Sequence, residues 1–144
     1  MVILAILGVA YYGFVGQSKK NTVEINNILF NIDLAVSADD LERGLSGRKE
    51  IANDQAMLFI FSDKSQRSFW MKDMNFNIDL LWIDGNKIVA YEKNMLAPED
   101  DTPLDNLAKY ISPQPIDKVL EIKSGLVDSL SIKIGDTINI NLVK

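Results

Sequence analysis

In the stretch ILFNIDLAV at 28–36, Ile28, Phe30, Ile32, Leu34 and Val36 are apolar at every second position, with Asn31 and Asp33 between them. Side chains of an extended backbone alternate between two faces, so this spacing predicts a half-buried strand. The same period returns at the other end of the chain in Ile138, Ile140 and Leu142 around Asn139 and Asn141. The domain is therefore expected to begin and end with antiparallel-type strands. Between them, QAMLFIF (55–61), IDLLWI (78–83), KIVAY (87–91) and VLEI (119–122) are apolar runs of strand length. Asp84-Gly85 joins two of them as a hairpin, because glycine tolerates the positive φ of such turns. One helix is expected where Ser37 can N-cap, Ala38, Leu41 and Leu45 form a stripe, and Gly44 or Gly47 can end it. A second short helix is expected after Ser124-Gly125. The reading is mainly β, with one or two short helices.

Composition sets the outer bounds. A length of 144 residues, 47% of them apolar and 24% charged, suits one domain with a real core. Fifteen basic residues against twenty acidic ones give a net charge of -5, so no basic footprint for nucleic acid is present. The chain has neither Cys nor His. Disulfides, thiolate nucleophiles, imidazole bases and the usual zinc ligands are thereby excluded. No cofactor and no metal site is expected, and the chain is expected to be a monomer.

The segment MVILAILGVAYYGFVGQS (1–18) carries no charge and ends at Lys19-Lys20. As a helix it would reach about 27 Å, close to the lower limit for crossing a bilayer. Tyr11, Tyr12, Gly13 and Gly16 beside a lysine pair fit the interfacial end of a membrane segment better than a core helix or strand. An uncleaved anchor or signal segment is expected, since a basic leader and a small-residue cleavage site are not evident. Lys19 and Lys20 alone would hold the following domain on the cytoplasmic side. A basic leader upstream of Met1 would reverse that.

Several residues could carry chemistry. In SFWMKD (68–73), period 2 places Phe69 and Met71 on one face and Trp70 and Lys72 on the other. Trp70 beside Lys72 is either a stacking platform with a cation for an anionic group, or a core plug with a lysine snorkelling past it. Asp79 lies in a strand apolar on both faces, with Ile78, Leu80 and Trp82 on one and Leu81 and Ile83 on the other. Such an acid is either a structural hub for backbone N–H groups or a tuned acid/base. Glu121, within Val119-Leu120-Glu121-Ile122, poses the same alternative. Arg43 follows Asp39 by four residues, the spacing of a surface pair, whereas Arg48 stands beyond the helix and is free to point at an anion. All four prolines and the acidic run Glu99-Asp100-Asp101 fall at 94–115, which reads as a long solvated loop without the ligand spacing of a calcium loop.

Taken in order, Glu42-Arg43-Gly44-Leu45-Ser46-Gly47-Arg48, Ala56-Met57-Leu58-Phe59, Phe69-Trp70-Met71-Lys72, Ile78-Asp79-Leu80, Val119-Leu120-Glu121 with Gly125, and Gly135-Asp136 resemble the domain of unknown function 192 family. The resemblance spans about 22–143. It implies a compact, jelly-roll-like antiparallel sandwich or barrel, often placed behind an export signal or single anchor, and hence an extracytoplasmic domain. Ala56 stands where the family commonly has Gly, Asp73-Met74 where it often has Asn-Thr, and the proline-containing loop lacks the Cys many members carry. The resemblance assigns no catalytic residue.

The function expected on these grounds is a non-enzymatic, membrane-tethered domain on the extracytoplasmic face. It would hold a small polar ligand or glycan with Trp70, Lys72 and Arg48. The alternatives are a hydrolase using Asp79 and Glu121 as paired carboxylates, and a module that docks a partner protein through a strand edge or the proline-rich loop.

Overall fold

Strand β3 (Gln55–Ser65) builds two cores at once. Ala56, Leu58 and Ile60 pack on one side of it, and Met57, Phe59 and Phe61 pack on the other. The computed structural model describes residues 19–143. Its other elements are β1 (Thr22–Ile25), β2 (Ile28–Ala35), α1 (Ala38–Arg43), β4 (Ser68–Trp70), β5 (Ile78–Asp84) and β6 (Lys87–Met95), followed by β7 (Lys109–Ile111), β8 (Ile116–Lys123), α2 (Leu126–Ser129) and β9 (Ile138–Asn141). A single 3-10 turn, Leu104–Asn106, precedes β7. Seven strands form one sheet in the order β6-β5-β8-β3-β2-β1-β9, and β4 pairs with β7 in a separate ribbon.

The large sheet curls until its two edges meet. Lys87 and Thr137 bridge them, and Ile138 N–H bonds to the Asn86 carbonyl at 2.9 Å. Inside the curl, Val23, Phe30, Leu58, Leu81, Ile88, Leu120 and Ile138 come from all seven strands and form one core, which α2 covers with Leu126 and Val127. The opposite face carries a second core of Met57, Phe59, Ile78, Leu80, Trp82 and Val119. It is covered by the segment following α1, by the β4–β7 ribbon and by Met71 and Met74. Burial on both faces explains why β5 reads as a nearly continuous apolar run.

The mainly β fold with two short helices agrees with the sequence reading, and the differences are local. Strands β2 and β3 are parallel, because the chain crosses between them through α1 instead of a tight turn. The hairpin turn is Gly85-Asn86, since Asp84 is still paired with Lys87, and Gly85 supplies φ of 61°. Within 94–115, β7 was hidden because its pairing partner is the remote β4. Arg43 pairs with Asp40, not Asp39. Asp40 is the acid oriented by the cap, its Oδ2 accepting a hydrogen bond from the Ser37 hydroxyl at 2.6 Å while its own N–H donates to Ser37 Oγ. The stripe of α1 is shallow: Leu41 is half-buried and Ala38 exposed, and only Leu45, beyond the helix, is buried. Among the described residues no helix is long and apolar enough to cross a membrane, and the expected anchor at 1–18 lies outside them.

Candidate functional site

Register determines what surrounds Glu121. On β8 it stands opposite Met57 of β3 and Leu80 of β5, so its side chain enters the second core between two apolar neighbours. The ladder uses the strand N–H groups nearby, and Glu121 Oε2 is left sealed with no hydrogen-bond partner among the described residues. Loss of water disfavours the charged form and pushes the Glu121 carboxyl up to about 8, with the Arg48 guanidinium pulling weakly the other way. The acid is therefore mostly neutral at pH 7.

Beside it opens a pocket of about 450 Å³ walled by Phe59, Phe61, Phe69 and Trp70, with Gly44 and Glu121 also lining it. Gly44 ends α1 at φ 50° and ψ −131°. A Cβ there would lie 3.1 Å from Phe59 Cζ and 3.8 Å from Glu121 Oε2, so only glycine lets the chain pass this close over the carboxyl. Phe69 holds the wall together with edge-on contacts to Phe59 at 5.0 Å, Trp82 at 5.6 Å and Phe61 at 6.4 Å. The turn after Gly44 is tied down by Ser46 Oγ donating to the Lys72 carbonyl and Gly47 N–H to the Asp73 carbonyl, at 2.7 and 2.8 Å.

The second buried acid is treated in the opposite way. Asp79 Oδ1 accepts from Asn94 N–H at 2.8 Å, and Oδ2 accepts from Gly125 and Val127 N–H at 3.0 and 2.9 Å. One carboxylate thus joins β5, β6 and the start of α2.

A family model described as DUF192, an uncharacterized ACR, matches residues 20–140. The chain belongs to the DUF192 family. No curated protein matches it. A solved structure from Sinorhizobium meliloti, described as a candidate transcription regulator, is 27% identical and superposes with a TM-score of 0.74, over 85% of this chain and 94% of that one. A protein of unknown function from Novosphingobium aromaticivorans is 24% identical, with a TM-score of 0.72 over 82% and 83%, a likeness of fold.

In this DUF192 domain the residues singled out from sequence do not converge on one place. The alternation at 68–73 is as read: Met71 is buried, Phe69 faces the core, and Trp70 keeps 37% exposure with Lys72 Nζ 5.7 Å from its ring centre. Trp70 lines the Glu121 pocket. Lys72 lines a different crevice with Asp73 and Glu99, Asp100 and Asp101. Arg48 is not free for an anion, since its Nη1 donates to Asp33 Oδ2 at 2.7 Å, and it lines a third crevice with Lys19 and Lys20. The pairing of Asp79 with Glu121 is also corrected. Asp79 is in register with Ile122 on the inner face, whereas Glu121 is in register with Leu80 on the outer one. Two carboxyls on opposite faces of a sheet cannot flank one scissile bond.

Gly44, Phe59, Phe61 and Phe69 are the site residues that sequence reasoning missed. The alternation in AMLFIF already places Phe59 and Phe61 on one face. No local signal brings Gly44 over Glu121, which requires the parallel crossover through α1.

Proposed function

We propose that this DUF192 domain is a non-enzymatic binding module that holds a small polar ligand in the Glu121 pocket. On this reading residues 1–18 tether it to a membrane with the domain on the extracytoplasmic face. The observation that carries the pocket is the unpartnered Glu121 Oε2 beneath an aromatic wall. A carboxyl buried for structure is given donors, as Asp79 is; one without them costs stability and is useful only to something that enters the pocket. The volume of about 450 Å³ lies within the range of small-molecule sites. Binding is favoured over carboxylate-pair hydrolysis because Asp79 faces away from Glu121. The tether is supported by the uncharged run 1–18, its two tyrosines and the lysine pair that follows.

The test uses the full chain in detergent, titrated with sugars, carboxylates, phosphate and amines while Trp fluorescence and thermal melting are followed. Trp82 is fully buried, so a quench reports on Trp70. A true ligand at about 100 times its Kd adds about 2.7 kcal/mol of stability. A melting shift that persists unchanged in Trp70→Ala and Gly44→Ala would place binding elsewhere and overturn the pocket reading. For the tether, release of the protein from membranes by an alkaline wash overturns the anchor, and resistance to protease added outside intact cells overturns the sidedness.

A further inference from the structure

We infer that the ligand of this pocket is an organic ammonium cation, seated on Phe59, Phe69 and Trp70 with the Glu121 carboxylate as its counter-charge. The inference rests on the pocket reading and names its ligand class. It follows from which polar groups around the pocket are already committed. Arg43 is paired with Asp40, and Arg67 with Asp63 at 2.8 Å. Ser46 Oγ donates to the Lys72 carbonyl, and Gln66 Nε2 donates to the Ser112 carbonyl at 2.9 Å. Among the described lining residues this leaves Ser68, the Trp70 indole N–H, Arg67 Nε and two acids, Glu42 and Glu121, without such partners. Both arginines have their charge answered by an aspartate, Arg67 keeping only its Nε unbonded, so an anion finds no unpaired cation there. A sugar needs several free donors and acceptors around its ring, and Ser46 and Gln66 are already engaged with backbone carbonyls.

An ammonium needs what remains. Aromatic faces attract a cation through the ring quadrupole, most strongly where water is excluded, and this wall already does so with the protein's own groups. The Arg67 guanidinium lies 4.1 Å from the Phe61 ring centre and Lys72 lies over Trp70. Phe59 and Phe69 have no such cation among the described residues. Arg48, bonded to Asp33, is the charge that acts on Glu121; Glu42 and Arg43 at α1 and Arg67 ahead of β4 line the same pocket, and the strand neighbours of Glu121, Met57 and Leu80, carry no charge. Entry of a cation stabilises the ionised carboxyl. The Glu121 proton then leaves to solvent, the carboxyl becomes carboxylate, and the ammonium keeps its charge and all its bonds.

The experiment is calorimetry on the full chain in detergent with choline and with its uncharged isostere, in which a tert-butyl group replaces the trimethylammonium. Glucose and inorganic phosphate complete the set. Choline has no ammonium proton to give, so running each titration in two buffers of different ionisation heat reads protons released by the protein. Choline is expected to bind at least about tenfold tighter than the isostere. Nearly one proton should be released at pH 7, and affinity should rise from pH 6 and level off above about 8, where the free Glu121 is already ionised. Glu121→Gln copies the neutral carboxyl in shape. It should abolish the proton release and the pH dependence of choline binding. Tighter binding of the isostere, glucose or phosphate than of choline overturns the ammonium inference and leaves the pocket reading standing. Choline binding whose proton release survives in Glu121→Gln also overturns it. Failure of all four ligands overturns both.

Discussion

Asp79 and Glu121 lie on neighbouring strands of one sheet, on opposite faces, and both are nearly inaccessible, at 0% and 6% exposure. The inner face answers its acid with three backbone N–H groups; the outer face leaves Oε2 of its acid with none. Burial alone therefore does not say whether an acid is structural. The supply of donors does, and the supply follows from local backbone. Around Asp79 a strand end and the start of α2 have N–H groups outside the ladder, so the chain can turn them onto a carboxylate. Glu121 sits mid-strand between two paired neighbours whose N–H groups are already bonded.

The comparison can be broken most forcefully at Asp79. Hydrogen bonds to a charged acceptor are worth about 1.5–3 kcal/mol each, so Asp79→Ala, which orphans three donors, is expected to cost about 5 kcal/mol or more. That approaches the whole stability of a small domain. Asp79→Asn keeps one accepting oxygen and is expected to lose about half as much by urea denaturation. Equal stability of wild type and Asp79→Asn would remove Asp79 as the joint between β5, β6 and α2.

Glu121 should behave in the reverse sense. Burial pushes its folded carboxyl up to about 8 from an ordinary 4.5. The folded state thus holds its proton over a range where the unfolded chain has lost it, and stability must fall as pH rises from about 4.5 to about 8. At about 1.4 kcal/mol per pH unit the loss from this group amounts to about 5 kcal/mol, flat below and above that window. Glu121→Gln should remove this slope, equalling wild type near pH 4.5 and exceeding it by several kcal/mol above pH 8. The check is urea midpoints across pH 4.5–9 for both proteins. A parallel pair of curves would mean that the carboxyl has a donor after all.

Gly44→Ala tests the roof of the same site. The substitution forces a side chain to φ 50° and ψ −131° and presses a methyl group against Phe59. Strain of this kind costs about 1–3 kcal/mol. The added methyl should also reduce ligand affinity at the Glu121 pocket more than it reduces stability, measured by thermal melting and calorimetry on the same preparation.

Much of this architecture was legible in local pattern. The alternation in ILFNIDLAV and AMLFIF, the Ser37 cap and the turn near Asp84-Gly85 all register within a few residues, because strand period and cap geometry are local rules. The hub role of Asp79 was legible as one of two options, since an acid flanked by apolar residues on both faces must be answered or neutralised. What the sequence did not display is adjacency between distant segments. The parallel crossover, the pairing of β4 with β7 and the passage of Gly44 over Glu121 each depend on where α1 carries the chain. Arg48 illustrates the limit, for nothing local to it revealed Asp33 on β2 as its partner.

That pair supplies the smallest and sharpest test of the contrast. Arg48 is half-exposed and its bond to Asp33 is a surface ion pair, worth at most about 1 kcal/mol in dilute salt. Its charge nevertheless favours the ionised form of Glu121, opposing the loss of water that otherwise governs this carboxyl. Arg48→Ala should therefore leave stability near pH 4.5 within about 1 kcal/mol of wild type. Above pH 8, where Glu121 is ionised, it should lower stability further, and the upper end of the pH-dependent window should move to higher pH. Raising the salt should shrink the difference, because the guanidinium lies at the surface and its field is screened over about 10 Å at 0.1 M. In a Glu121→Gln background Arg48→Ala should show no pH dependence from this source. If the same pH-dependent loss persists there undiminished, it comes from an acid other than Glu121, and the field at Glu121 is set by burial alone.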